Sequence, residues 1–171
     1  MPPKLENKEY YKNDQKNLII TLLICLFIPQ TTIAQDKEHW AAADVRQAKE
    51  LYGFNVPEEL NEPADLTLQE TIIKLAGLSL EPQQNINRYH VLQAMTEKLN
   101  ITGITEDNTD QILSEYIDIC EYCTKVNIVL SKALKSGLAK GRMTPQGKAM
   151  APKDPITNGE LVVLYLRYMN Q

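Results

Sequence analysis

From residue 36 onward, apolar residues recur at helical spacing along most of the chain. Ala41, Val45, Ala48 and Tyr52 form one stripe, with Trp40 and Leu51 beside it. Asp36 can cap this first helix and Gly53 can stop it. Pro57 and Pro63 mark residues 54–65 as loop, and a shorter helix over 67–76 ends at Gly77. After a loop at 82–85, Val91, Leu92, Met95 and Leu99 share one face of a helix over 88–99. Residues 102–110 read as an acidic loop and 111–116 as a short helical turn. A long helix over 119–136 stops at Gly137. Gly141, Gly147, Pro145, Pro152 and Pro155 make 138–155 a loop, and residues 158–169 form the last helix. No period-two run is long enough to argue for a sheet, so the predicted class is all-α.

Composition narrows the picture without naming an activity. The 171 residues are 43% hydrophobic and 23% charged, which fits a folded globular chain rather than a disordered one. A net charge of -4 gives no basic surplus to recruit nucleic acid or an anionic membrane. Aromatic residues are only 6%, too few for a large stacking platform.

The first 34 residues have the layout of a secretory signal peptide. A polar segment with Lys4, Lys8, Lys12 and Lys16 precedes the apolar run from Leu18 to Ile28, and Pro29 breaks it. Thr32-Ile33-Ala34 supplies a cleavage site with small residues at the right positions. The run is too short for a bilayer, which needs ~20 apolar residues, so no stable membrane span is expected after cleavage. Ile24 is too bulky to precede a lipid-modified Cys25. The mature chain would be residues 35–171, with only Cys120 and Cys123 remaining.

Three segments share the design of a helix start. They are Leu66-Thr67-Leu68-Gln69-Glu70, Ile86-Asn87-Arg88-Tyr89-His90 and Ile156-Thr157-Asn158-Gly159-Glu160. Thr67 with Glu70, and Thr157 with Glu160, have capping-box spacing; Asn87 can cap without a following Glu. Ile86 on Val91 and Ile156 on Leu161 are candidate hydrophobic staples. Pro63, Pro82 and Pro152 lie four or five residues ahead of the three caps. This repetition within one short chain points to internal repeats.

Here the sequence resembles S-layer homology repeats. His39-Trp40-Ala41 resembles the start of their first helix. Ala133 with Gly137-Leu138-Ala139-Lys140-Gly141 resembles its end and turn, and Met150-Ala151-Pro152 with Ile156 to Glu160 the opening of the second helix. The resemblance implies paired-helix repeats packed into a small helical bundle, over 35–80, a partial copy at 81–109, and 110–171. It also implies non-catalytic attachment of a secreted protein to the bacterial cell wall through anionic secondary cell-wall polysaccharide. Arg88 is the one surviving copy of the family's Arg; Leu68 and Asn158 stand at the matching positions. A helix N-terminus offers free N–H groups to an anion, and an Arg beside it adds a charged fork. Arg88 and Trp40 are therefore the leading glycan-binding candidates, with Lys140 and Arg142 as supplementary anion contacts. Thr67, Asn87 and Thr157 are the helix caps. A secreted helical adaptor that binds another surface protein is the alternative.

Other chemistry is weakly signalled. Cys120-Glu121-Tyr122-Cys123 lacks the strand-helix context of a redox motif, leaving core thiols or a local disulfide. Without a second pair or a nearby His it is a poor zinc site. His39 and His90 read as structural or surface groups, and no nucleophile, metal or phosphate-cradling motif is present. No catalytic residue, cofactor or metal is expected. Trp40 can fill the core or stack on a sugar.

Overall fold

The computed structural model describes residues 38–120 and 123–171, so the predicted signal peptide lies outside the described residues. Residues 38–171 cluster as one compact unit. The element order is α1 (Ala42–Tyr52), α2 (Leu66–Ala76), α3 (Arg88–Lys98), α4 (Glu106–Leu113), α5 (Thr124–Lys135), β1 (Arg142–Thr144), β2 (Gly147–Ala149) and α6 (Asn158–Met169). The described residues are thus mostly helical. None of their helices is long and apolar enough to cross a membrane.

Helix α6 is the centre of the packing. Every residue from Asn158 to Leu166 is buried, a pattern expected of a helix enclosed on all sides. It packs on α1 and α2, which lie far from it in sequence, while α5 packs on α3 and on its chain neighbour α4. Tyr165 on α6 is 1% exposed and lies 5.1 Å from the Tyr52 ring and 5.0 Å from the Phe54 ring. Tyr52 and Phe54 close the triangle at 5.6 Å. This fixes the C-terminal end of α1 against α6 through geometry that aromatic rings favour.

The segments before α2, α3 and α6 lie side by side. Ile156 accepts at its carbonyl from Ala64 N–H (2.8 Å) and donates its own N–H to the Ile86 carbonyl (2.9 Å). Its side chain is buried in the core, as are those of Ile86, Val91 and Leu161. Residues 154–158 therefore form the middle of three extended lead-ins.

Several boundaries differ from the sequence reading. The N-cap of α2 is Asp65, whose carboxylate accepts from Thr67 N–H (2.8 Å) and Leu68 N–H (3.2 Å). Thr67 is exposed inside the first turn and does not cap. A carboxylate two residues upstream competes better for those N–H groups than the hydroxyl does. Asn87 caps α3 by accepting from His90 N–H (3.1 Å), and Thr157 with Glu160 forms the predicted capping box. The acidic stretch expected as loop is α4, where the Asn108 side chain accepts from the Thr105 N–H (3.1 Å). Helix α5 begins at Thr124 rather than 119, and a Cys120–Cys123 disulfide lies just before it. Within the 138–155 loop, β1 and β2 make a short antiparallel hairpin with Arg142 opposite Ala149.

Candidate functional site

Trp40, Arg88, Lys140 and Arg142 line one open cavity of about 570 Å³, together with Arg167, Glu160, Met143 and others. The first four arrive from three separate parts of the chain. Trp40 precedes α1, Arg88 opens α3, Lys140 precedes β1 and Arg142 begins it. Arg167 and Glu160 come from α6. Sequence spacing could not place them together, since only tertiary packing closes the cavity.

Trp40 is 59% exposed, so it lies on the wall of the cavity instead of filling the core. It is held by its neighbour: His39 Nε2 and Asn61 Oδ1 are 2.8 Å apart, and the His39 and Trp40 rings are 5.5 Å apart. The small contacts around Gly159 explain the close approach of this corner. A Cβ there would sit 3.1 Å from the Ala41 Cβ and 3.2 Å from the His39 ring.

The electrostatic centre is Glu160. Arg88 Nη1 donates to its Oε1 (2.8 Å), Arg142 Nε donates to the same oxygen (2.8 Å), and Arg142 Nη2 donates to Oε2 (2.9 Å). Arg142 Nη1 reaches outward to Asp154 Oδ2 (2.9 Å). Glu160 thus serves as cap residue and as the counter-ion of two guanidinium groups. From the sequence only the capping role was visible; its distance from both arginines hid the rest.

Arg88 does not stand free as the sequence reading expected. It is 4% exposed and paired with Glu160. Burial lowers its pKa, with Arg142 and Arg167 adding repulsion and Glu160 opposing them. It nonetheless stays a cation at any physiological pH. Its Nε is buried with no hydrogen-bond partner. Arg142 behaves oppositely. Burial works against its charge, but the bonds and attraction of Glu160, then Asp154, outweigh this and raise its pKa.

The helix N-termini are also closed. Arg88 N–H and Tyr89 N–H donate to the carbonyls of Asp154 and Pro152, both at 3.0 Å. Asn158 N–H and Gly159 N–H donate to Glu62 and Leu60, again at 3.0 Å. These groups cannot grip an external anion, so the expected role for the helix ends is replaced by one for side chains. Arg88, Lys140, Arg142 and Arg167 stand around the cavity against two carboxylates, Glu160 and the Asp154 that pairs with Arg142, a surplus of two positive charges. That surplus sits on a chain whose net charge is -4.

Two features hold the Arg142 side of the cavity. Asp118 accepts from Met150 N–H (2.8 Å) and Ala151 N–H (2.6 Å) at the exit of β2, and Ile117 N–H donates to the Lys148 carbonyl (2.9 Å). Gly141 adopts a φ of +73°, and a Cβ there would fall 2.5 Å from Tyr116 Cε1. Glycine is required for this close approach. No protein-family model, no curated protein and no solved structure matches the chain.

Proposed function

We propose that the protein is a non-catalytic surface module of a bacterial envelope that binds an anionic cell-wall polysaccharide in the Trp40–Arg142 cavity. The observation that carries this reading is the convergence of Trp40, Arg88, Lys140 and Arg142 on one open cavity. An exposed indole supplies a flat apolar face for a sugar ring, and the surrounding cations supply attraction for carboxylate or phosphate groups. Lys140 and Arg167 have no carboxylate partner within salt-bridge distance among the described residues, so they are the first contacts for an incoming anion. Arg88 is a positioning residue that holds Glu160 and adds positive potential from behind. We read the three adjoining lead-ins as divergent S-layer homology repeats and residues 1–34 as the signal that exports the chain.

A sedimentation assay on purified cell-wall sacculi tests the proposal. Wild type should co-sediment, and Lys140→Ala with Arg167→Ala should reduce retention at least tenfold. Raising the salt should also release the protein, because exposed charge attraction is screened. Retention that is equal in wild type and double variant removes the cations from the site. No retention of either removes the function.

A protein partner is the second reading, favoured by Met143, which is 80% exposed at the same cavity as Trp40. An exposed thioether beside an indole is a common feature of protein interfaces. Release of the bound chain by soluble wall polysaccharide separates the two: a glycan site is competed, and a protein site is not.

A further inference from the structure

Asn61 stands on the wall of the Trp40–Arg142 cavity, in the loop between α1 and α2. Its chain neighbours are pinned to the start of α6. The Leu60 carbonyl accepts from Gly159 N–H and the Glu62 carbonyl from Asn158 N–H, both at 3.0 Å. The Asn158 side chain also donates to the Glu59 carbonyl (3.1 Å). An exposed side chain is thus carried on a backbone held from both sides, so that little freedom is left to lose on binding.

The direction of the Asn61 amide is set by a run of hydrogen bonds that begins at the backbone. Ala41 N–H donates to His39 Nδ1 (3.2 Å). A backbone N–H only donates, so Nδ1 carries a lone pair and the neutral ring has its proton on Nε2. Nε2–H then donates to Asn61 Oδ1 (2.8 Å). Reversing the amide would set a donor against a donor. The oxygen is therefore engaged, and Nδ2 with its two protons has no hydrogen-bond partner among the described residues. The ring that directs the amide lies 5.5 Å from the ring of Trp40.

We infer, on the reading of the cavity as a polysaccharide site, that Asn61 is its specificity-determining residue. Asn61 Nδ2–H donates to an uncharged oxygen, a hydroxyl or a ring ether, of the sugar that lies on Trp40. His39 is the positioning residue that turns the amide this way. Lys140 and Arg167 attract any anion, whatever its shape. A neutral donor fixed beside an indole adds direction, because a few placed polar groups orient a ligand on an apolar wall. It matches a sugar that presents an acceptor oxygen at the edge of its apolar face, and it gives a small free anion no added contact.

The test follows the isotope-labelled full chain by NMR as wall polysaccharide, solubilised from purified sacculi, is added. Trp40 is the only tryptophan, so one indole N–H signal reports on the cavity. The Asn61 amide signals are the pair that disappears in Asn61→Asp. In the free chain the ring nitrogens of His39 should show the proton on Nε2. Polysaccharide should shift the indole signal and give NOEs from sugar protons to both the indole and the Asn61 amide protons. Asn61→Ala should weaken binding about fivefold, the loss of one neutral hydrogen bond. A proton on His39 Nδ1 would overturn the positioning role. Sugar NOEs at the indole with none at Asn61, or an Asn61→Ala affinity equal to wild type, would overturn the contact and leave the polysaccharide site in place. No response of the indole at all would overturn the polysaccharide reading and the Asn61 contact together.

Discussion

Arg88 on α3 and Glu160 on α6 meet at 2.8 Å across 72 positions of sequence, and both are nearly closed to solvent. The pair ties the two halves of the helical packing together at the floor of the cationic cavity. Breaking it from the two sides should have unequal effects. Glu160→Ala leaves the buried Arg88 with no counter-ion, leaves Arg142 with Asp154 alone, and removes the Glu160 half of the α6 capping box. It should cost about 3–5 kcal/mol in a urea titration, the range for an uncompensated buried charge. Arg88→Met keeps the volume and leaves Glu160 paired with Arg142, so it should cost clearly less. An equal loss in the two variants would show that Arg142 does not share Glu160 in solution.

The corrected cap of α2 separates two neighbouring residues. Asp65→Ala should destabilise by about 1 kcal/mol, since it frees two N–H groups of the first turn. Thr67→Ala should fall within about 0.5 kcal/mol of wild type, as exposed substitutions usually do. Thr157→Ala, which breaks a formed capping box, should again cost about 1 kcal/mol. Chemical denaturation of the three variants checks the order. A large loss in Thr67→Ala alone would restore it as the cap.

Trp40 should matter for binding and not for folding. It is 59% exposed, so Trp40→Ala should leave the unfolding midpoint almost unchanged. Retention on cell-wall sacculi should drop at least fivefold, because the sugar loses its flat apolar surface. An unfolding midpoint that falls while retention per folded molecule holds would assign Trp40 to the fold.

Gly141 and Gly137 share a left-handed backbone, with φ of +73° and +74°. Only Gly141 is crowded, since an added Cβ would lie 2.5 Å from Tyr116 and 2.9 Å from the Ala149 carbonyl. Gly137→Ala should cost about 1–2 kcal/mol, the strain of that conformation alone. Gly141→Ala should cost more and displace the strand carrying Arg142, lowering polysaccharide retention as well. Thermal unfolding and the sedimentation assay together distinguish strain from displacement.

Some elements were readable from the chain because local chemistry decides them. Helix α6 spans the predicted residues, since a complete capping box and an unbroken apolar run specify it without help from elsewhere. Asn87 placed the start of α3 for the same reason. Helix α4 was missed because its box uses Asn108 in place of Glu, inside a stretch whose acidity looks like a solvated loop. The hairpin was missed because three-residue strands carry no period. Trp40, Arg88, Lys140 and Arg142 were singled out from the sequence, and the fold places them around one cavity, but the sequence did not show which of them are buried or paired. Burial of Arg88 and the counter-ion role of Glu160 depend on where α6 lands against α3, which no local pattern encodes.

The middle position of residues 154–158 bears on the order in which the protein can assemble. The segment that bridges the other two lead-ins, and the helix that α1 and α2 need as their partner, are synthesised after both of those helices. Such long-range pairing delays stable structure until late in the chain. Helices α1 and α2 leave the ribosome before the partner that covers their inner faces exists, whereas α3, α4 and α5 can already pack on one another.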